Sequence, residues 1–203
     1  MSLYPLMLEG TAIDVVIVGG GPVAARKARA LAAAGARVDI VAEDFAPECT
    51  GLIADFSSVV LTTKAYDHRD IDRAMLVVCA TNDTRVNAII AKDAMDRGKL
   101  VNVADDPDLG NCVTAAVHRT GDIVIGVSAG GVPTAARRIR DTIARIIDDR
   151  YASAIAELAK LRRSLLDDAR RDRWRDAADA LTGPDFAEQV RSPDYVAKVA
   201  RWR

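Results

Sequence analysis

The sequence predicts an α/β fold: a doubly wound parallel sheet, then a small mixed region, then a helical C-terminal region. Three observations carry the prediction. Short β-branched runs alternate with helix-forming stretches over the first half of the chain. Three consecutive glycines stand at the first passage from strand to helix. From Thr134 onward, apolar residues recur at helical spacing.

Taken in order, residues 13–18 (IDVVIV) form an apolar run of the kind a parallel strand buries on both faces. GGGP turns the chain, and VAARKARALAAAGA follows as a helix that stops at Gly35. RVDIVA makes a second strand, a short helix follows, and SVVLTT makes a third strand. Residues 67–73 read as a helical turn, and MLVVCA (75–80) as a fourth strand. Residues 84–97 form a helix closed by Gly98, and KLVNV (99–103) a fifth strand. This rhythm gives right-handed crossovers and a parallel sheet. After Asp105 the pattern changes. CVTAAVH and DIVIGVS are two strand-like runs about a turn at Gly121, which predicts an antiparallel pair. The helix from Thr134 carries apolar residues at 136, 139, 143, 146 and 147 with arginines on the other side. Gly183-Pro184 and Ser192-Pro193 divide the tail into short helices, with Trp174 and Trp202 expected as their anchors.

Composition narrows the function classes. With 203 residues, half of them apolar and 28% charged, the chain can hold one sizeable domain and a smaller appendage. Its apolar runs are too short to span a bilayer, and no secretory leader is read. Cys49, Cys79 and Cys112 are odd in number and widely spaced, which points to reduced thiols in a cytoplasmic protein. His68 and His118 have no partners at ligand spacing, so no metal site is expected. Residues 1–110 carry 11 basic and 16 acidic side chains, whereas residues 134–175 carry 12 basic and 7 acidic. An anion is therefore expected on the later segment, and neither nucleic acid nor membrane is expected as a partner.

The motif Gly19-Gly20-Gly21-Pro22-Val23-Ala24 is a G-x-G-x-x-A fingerprint lying between strand and helix, which marks a Rossmann dinucleotide site. Gly19 permits the tight turn, Gly21 lets the backbone approach a pyrophosphate, and Ala24 lets the helix pack close to the strand. The helix start adds free amides and a positive dipole. At the tip of the second strand stands Ala42, followed by Glu43 and Asp44. Either carboxylate suits a ribose hydroxyl and disfavours a 2′-phosphate, so NAD is expected over NADP; Asp44 is equally suited to cap the next helix. After the fourth strand, Thr81 and Asn82 are placed to contact the cofactor, and Asp83 to cap the following helix. The fifth strand ends in Asp105-Asp106-Pro107, two carboxylates suited either to acid/base work or to turn formation. Ser128, Gly130 and Gly131 form a turn that opens a helix, where Arg137, Arg138 and Arg140 add positive charge; the turn suits an anion or a purely structural role.

The order of these motifs resembles the siroheme synthase amino-terminal family, the precorrin-2 dehydrogenases. The resemblance rests on a Leu-Tyr-Pro-Leu start, VGGGPVAARKARALAAAGARV, CATNDTRVN, VNVADDP, and VSAGG before an Arg-rich helix, and covers about residues 1–150. It implies NAD-dependent oxidation of precorrin-2 to sirohydrochlorin, and in some members iron insertion, with Fe2+ as a further substrate. It implies a Rossmann domain over 1–112, a dimerisation region over 113–150 and a helical C-terminal region over 151–203, forming a homodimer with the site at its interface. The family's essential aspartate maps onto Asp105. Cofactor contacts map onto Gly19, Gly21, Pro22, Val23, Glu43, Asp44, Thr81 and Asn82, and substrate contacts onto Ser128, Gly130, Gly131, Arg137 and Arg138. One departure is Ala129, where family members often carry a second hydroxyl. No methyltransferase region follows, so the methylating steps are not expected. A rival reading is a regulatory NAD-sensing domain of the potassium-transport type; such domains put an acid where this chain has Ala42.

Overall fold

The computed structural model describes residues 2–203 and divides the chain into two compact units, one ending at Thr114 and the other running from Ala115 to Arg203. In the first unit, β1 (Asp14–Val18), β2 (Arg37–Ala42), β3 (Val59–Thr63), β4 (Leu76–Cys79) and β5 (Leu100–Val103) form one sheet in the order β3-β2-β1-β4-β5. Every pair in it is parallel. The connecting helices are α1 (Pro22–Ala32), the short α2 (Pro47–Thr50) and α3 (Leu52–Asp55), and α4 (Thr84–Asp96). The passage from β3 to β4 has no helix. Its amides at Asp70, Asp72 and Ala74 donate to carbonyls three residues back, giving the expected turns.

Strand alternation explains why both faces of the sheet are covered. Val15, Ile17, Val38, Ile40 and Val78 turn to one side and pack on α1 through Ala24, Ala25, Ala28 and Ala32. Val16, Val18, Val41, Val77, Val101 and Val103 turn to the other and pack on α4 through Ile90, Ala91 and Ala94. Each fully buried Val or Ile contributes about 1.5–3 kcal/mol relative to exposure. Methyl-sized side chains on α1 let its backbone lie close to the sheet. The strand order reverses between β1 and β4, and in such sheets the crevice outside their carboxyl ends receives ligands.

The second unit opens with β6 (Ala116–Thr120) and β7 (Ile123–Val127), antiparallel about Gly121, whose φ is +52°. The first of these strands begins four residues later than the run read from Cys112, because the segment before it is tied to β5 and α1. The amides of Asn111 and Cys112 donate to the Val101 carbonyl, and Lys27 Nζ donates to Thr114 Oγ1. Five helices follow: α5 (Pro133–Ile146), α6 (Asp149–Asp167), α7 (Arg171–Leu181), α8 (Phe186–Arg191) and α9 (Tyr195–Ala200). The α5–α6 junction is pinned to β6, with His118 Nε2 2.7 Å from the Ile147 carbonyl and Thr120 Oγ1 donating to Asp149. Leu158, Leu161 and Leu165 of α6 form the core of the tail with Leu181, Val190, Tyr195 and Val199, and Trp174 and Trp202 pack on it as expected. Tyr195 donates to the Leu181 carbonyl at 2.8 Å, and burial pushes its hydroxyl up to about 12. On α5 only Ala136 is buried, while Ile139 and Ile146 remain 46% and 49% exposed. Among the described residues no helix is long and apolar enough to cross a membrane.

Candidate active site

The glycine turn is shaped by its own surroundings at two positions and left open at the third. Gly19 has φ +122°, and a Cβ there would lie 2.2 Å from the Ala80 carbonyl oxygen. At Gly20 a Cβ would fall 1.9 Å from the Asp44 carbonyl oxygen. The Gly20 carbonyl also accepts the Ala46 amide at 2.8 Å and the Cys49 thiol at 3.2 Å, which stitches the turn to the segment after β2. Gly20 stands at a variable position of the fingerprint; its requirement for glycine comes from a neighbour 24 residues away in the chain, which no local pattern reveals. Beyond Gly21, by contrast, a Cβ would meet nothing within 4 Å. Pro22 opens α1, where its missing N–H costs nothing, and no side chain caps the helix. Open space beside uncapped first-turn amides fits a pyrophosphate, so the residues present suit a dinucleotide.

This turn forms one wall of a cleft of about 910 Å³ at the carboxyl ends of the strands. Gly19, Gly21, Glu43, Asp44, Thr81 and Asn82 all line it; Pro22, Val23 and Asp105 are not part of its lining. Asp44 caps no helix: α2 begins after Ala46 without a side-chain cap, so the Asp44 carboxylate is left on the cleft wall. Asp83 does cap α4, accepting from the Arg85 and Val86 amides at 2.8 and 3.4 Å. Lys64 and Tyr66, just past β3, also line the cleft and were missed from the sequence. Lys64 is paired with Asp70 at 2.7 Å, and Tyr66 donates to Asp93 at 3.2 Å. Burial, with Asp93 beside it, holds the Tyr66 hydroxyl well above the ordinary phenol range.

Asp105 reaches the cleft wall through one buried side chain. Asn87 is 1% exposed, and its Oδ1 accepts from the Thr81 amide at 3.1 Å and the Thr81 hydroxyl at 2.7 Å. Its Nδ2 donates to the Thr81 carbonyl at 3.2 Å and to Asp105 Oδ1 at 3.0 Å. Asp105 itself is exposed. Asp106 is engaged differently, accepting the Asp108 amide at 3.1 Å as the cap of a single helical turn. The Cys79 thiol is pushed up to about 12 by burial, with the Asp105 charge adding to the effect, so it is inert.

In the second unit, Gly130 and Gly131 have φ +53° and +77°, and a Cβ on either would meet nothing within 4 Å. The Val132 amide closes the turn on the Ala129 carbonyl at 2.8 Å. Ser128, Arg137 and Arg138 are exposed. Arg140 is not equivalent to them: its side chain is 30% exposed and its Nε lies 2.7 Å from Asp141.

Residues 6–116 match a family model described as "Putative NAD(P)-binding". The chain belongs to this NAD(P)-binding family. Over 204 aligned residues it is 35% identical to a siroheme synthase of Chromobacterium violaceum, covering 97% of this chain and 42% of that protein. A siroheme synthase of Saccharophagus degradans is 34% identical over 94% of this chain and 42% of its own length. One of Nitrosomonas eutropha is 33% identical over 80% of this chain and 34% of its own length. The chain thus spans roughly two fifths or less of these curated relatives. Among solved structures, SirC, a precorrin-2 dehydrogenase, superposes with a TM-score of 0.79 and 23% identity over 98% of both chains, which shows a shared fold. The family resemblance read from the motifs is borne out by these relatives, and the potassium-transport reading gains nothing from them.

Proposed function

We propose that this chain catalyses the NAD-dependent dehydrogenation of precorrin-2 to sirohydrochlorin, in the cytoplasm, as a step towards siroheme. The observation that carries the proposal is the hydrogen-bonded line from Thr81, on the wall of the dinucleotide cleft, through Asn87 to Asp105. It ties an exposed carboxylate to the cofactor site of a chain whose curated relatives are siroheme synthases.

Under this reading, the turn at Gly19 and Gly21 with the first-turn backbone at Pro22 and Val23 holds the pyrophosphate, and Thr81 and Asn82 hold the cofactor from the opposite wall. Glu43 and Asp44 accept the ribose hydroxyls and repel a 2′-phosphate, which selects NAD over NADP. When bound, NAD supplies the acceptor for a hydride and leaves as NADH. Asp105 takes the proton released from the same substrate, so the reaction balances. In the second unit, Ser128, the amides at Gly130 and Gly131, and the guanidinium groups of Arg137 and Arg138 anchor substrate carboxylates. The exposed apolar residues Ile139 and Ile146 of α5 support a homodimer formed through α5 and the β6–β7 hairpin. The test is to mix protein, NAD and precorrin-2 and follow sirohydrochlorin and NADH together, with NADP in parallel. One NADH per sirohydrochlorin is expected; NAD binding without any change in precorrin-2 sinks the reading. Adding Fe2+ to the same assay tests iron insertion, for which Asp105 is again the group placed to take pyrrole protons.

A further inference from the structure

We infer that Asn87 is a positioning residue for this reaction: it holds Asp105 through its amide N–H while locking the Thr81 loop of the cofactor cleft through its carbonyl. The inference rests on the proposed function and deepens it. A buried asparagine usually serves to close a loop, and Asn87 does so, but closure of the loop accounts for only part of its bonding. Two bonds to Thr81 close on Oδ1 and one on Nδ2, which leaves one Nδ2 proton for another partner. That proton goes from α4 to Asp105 Oδ1, 18 residues further along the chain and just past the end of β5.

The orientation of the amide is dictated by its partners. The Thr81 backbone N–H can only donate, so the atom it meets must be the Asn87 oxygen; an ionised Asp105 can only accept, so the atom it meets must be the nitrogen. Reversing the amide would break both bonds at once. Burial of Asn87 at 1% exposure excludes competing water, so each bond costs its full desolvation to break. Asp105, exposed on its other sides, has one oxygen fixed and the other available to a substrate. The same side chain registers the state of the Thr81 loop, so cofactor loop and base share one rigid element.

Asn87→Asp removes the donor arm and keeps the acceptor arm. The new carboxylate has the same shape and still accepts the Thr81 amide and hydroxyl, but it loses the weaker bond to the Thr81 carbonyl and faces Asp105 as an acceptor against an acceptor and a charge against a charge. The expected result is a fall of about tenfold or more in kcat for precorrin-2 oxidation, with the NAD dissociation constant within about threefold of wild type. In an Asp105→Ala background the same substitution is expected to cost much less in kcat, because the facing charge is gone and only the bond to the Thr81 carbonyl is lost. An unchanged kcat, or an equal loss in both backgrounds, overturns the inference. A second measurement does not depend on Asn87→Asp folding: the Asn87 side-chain amide signals are expected to differ in the NMR spectrum between the wild type and Asp105→Asn. Amide signals that ignore Asp105→Asn overturn the inference as well. A wild-type chain that binds NAD but leaves precorrin-2 untouched overturns the underlying reaction instead, which separates the two failures.

Discussion

Two turns in this protein follow the same plan, a strand running into glycines and then a helix that opens with proline, yet they are constrained in different ways. At Gly19-Gly20-Gly21 before Pro22, the protein's own backbone fills the space that side chains would need at the first two positions. At Gly130-Gly131 before Pro133, nothing in the surroundings excludes a side chain, and only the positive φ values favour glycine. The cations that follow differ too. Lys27 on α1 is half-buried and donates to the neutral oxygens of Asn102 and Thr114, at 2.6 and 3.1 Å. Arg137 and Arg138 on α5 are exposed. The first turn is therefore a finished part of a folded unit, with open space at only one residue, Gly21. The second is a surface whose demands come from whatever it meets.

The comparison predicts that substitutions at the first turn separate sharply by position. Gly21→Asp puts a charge where the pyrophosphate is proposed to lie and meets no protein atom, so NAD binding should vanish while thermal unfolding hardly moves. Gly20→Ala should instead lower stability by about 1–3 kcal/mol, because Asp44 must shift. A Gly21→Asp chain that titrates normally with NAD would remove the turn from the cofactor site. Next in size is the proposed base: Asp105→Ala should retain folding and NAD affinity while losing at least about 100-fold in turnover, and Asp106→Ala should cost far less. If the two variants fall equally, Asp105 has no special role.

At the second turn the expected effects are on recognition. Arg137→Ala with Arg138→Ala should raise KM for precorrin-2 about tenfold with kcat little changed, and added salt should shrink the difference. A change in kcat alone would mean the arginines act elsewhere. Ile139→Asp should convert a dimer to a monomer in sedimentation; a chain already monomeric at micromolar concentration contradicts the proposed use of α5. The smallest effect belongs to Lys27. Burial, with Arg26 nearby, holds its ammonium below the ordinary lysine value of 10.5, although the Cys112 thiol opposes this slightly. The unfolded chain therefore keeps the proton to higher pH than the folded chain, and folding stability rises as pH climbs towards 10.5. Urea midpoints of the wild type should gain on those of Lys27→Met through that window, and parallel curves would show that Lys27 is not desolvated.

Much of the first unit was legible residue by residue. A strand buried on both faces needs an unbroken apolar run, so DVVIV and LVVC announce themselves, and Ala24, Ala28 and Ala32 announce a helix that packs closely. The fingerprint, the two acids after β2 and the Thr81-Asn82 pair could be read because each follows a strand end by a short, fixed distance. Lys64 and Tyr66 could not, since the passage after β3 carries no comparable signature. Asn87 was visible inside the motif CATNDTRVN, but it stands on α4 and bonds to a residue just past β5, which the motif does not reveal.

By itself, then, the sequence determined the order of strands and helices, the parallel sheet, the dinucleotide turn and the acidic tips beside it. All of these follow from periodicity and from steric demands within a few residues of chain. Tertiary structure alone decided that Gly20 must be glycine, that Asp44 lines a cleft rather than capping a helix, that β6 starts at Ala116, and that Asp105 is held by Asn87. Each of these depends on atoms brought together from distant parts of the chain, and a local pattern carries no record of which distant atoms those will be.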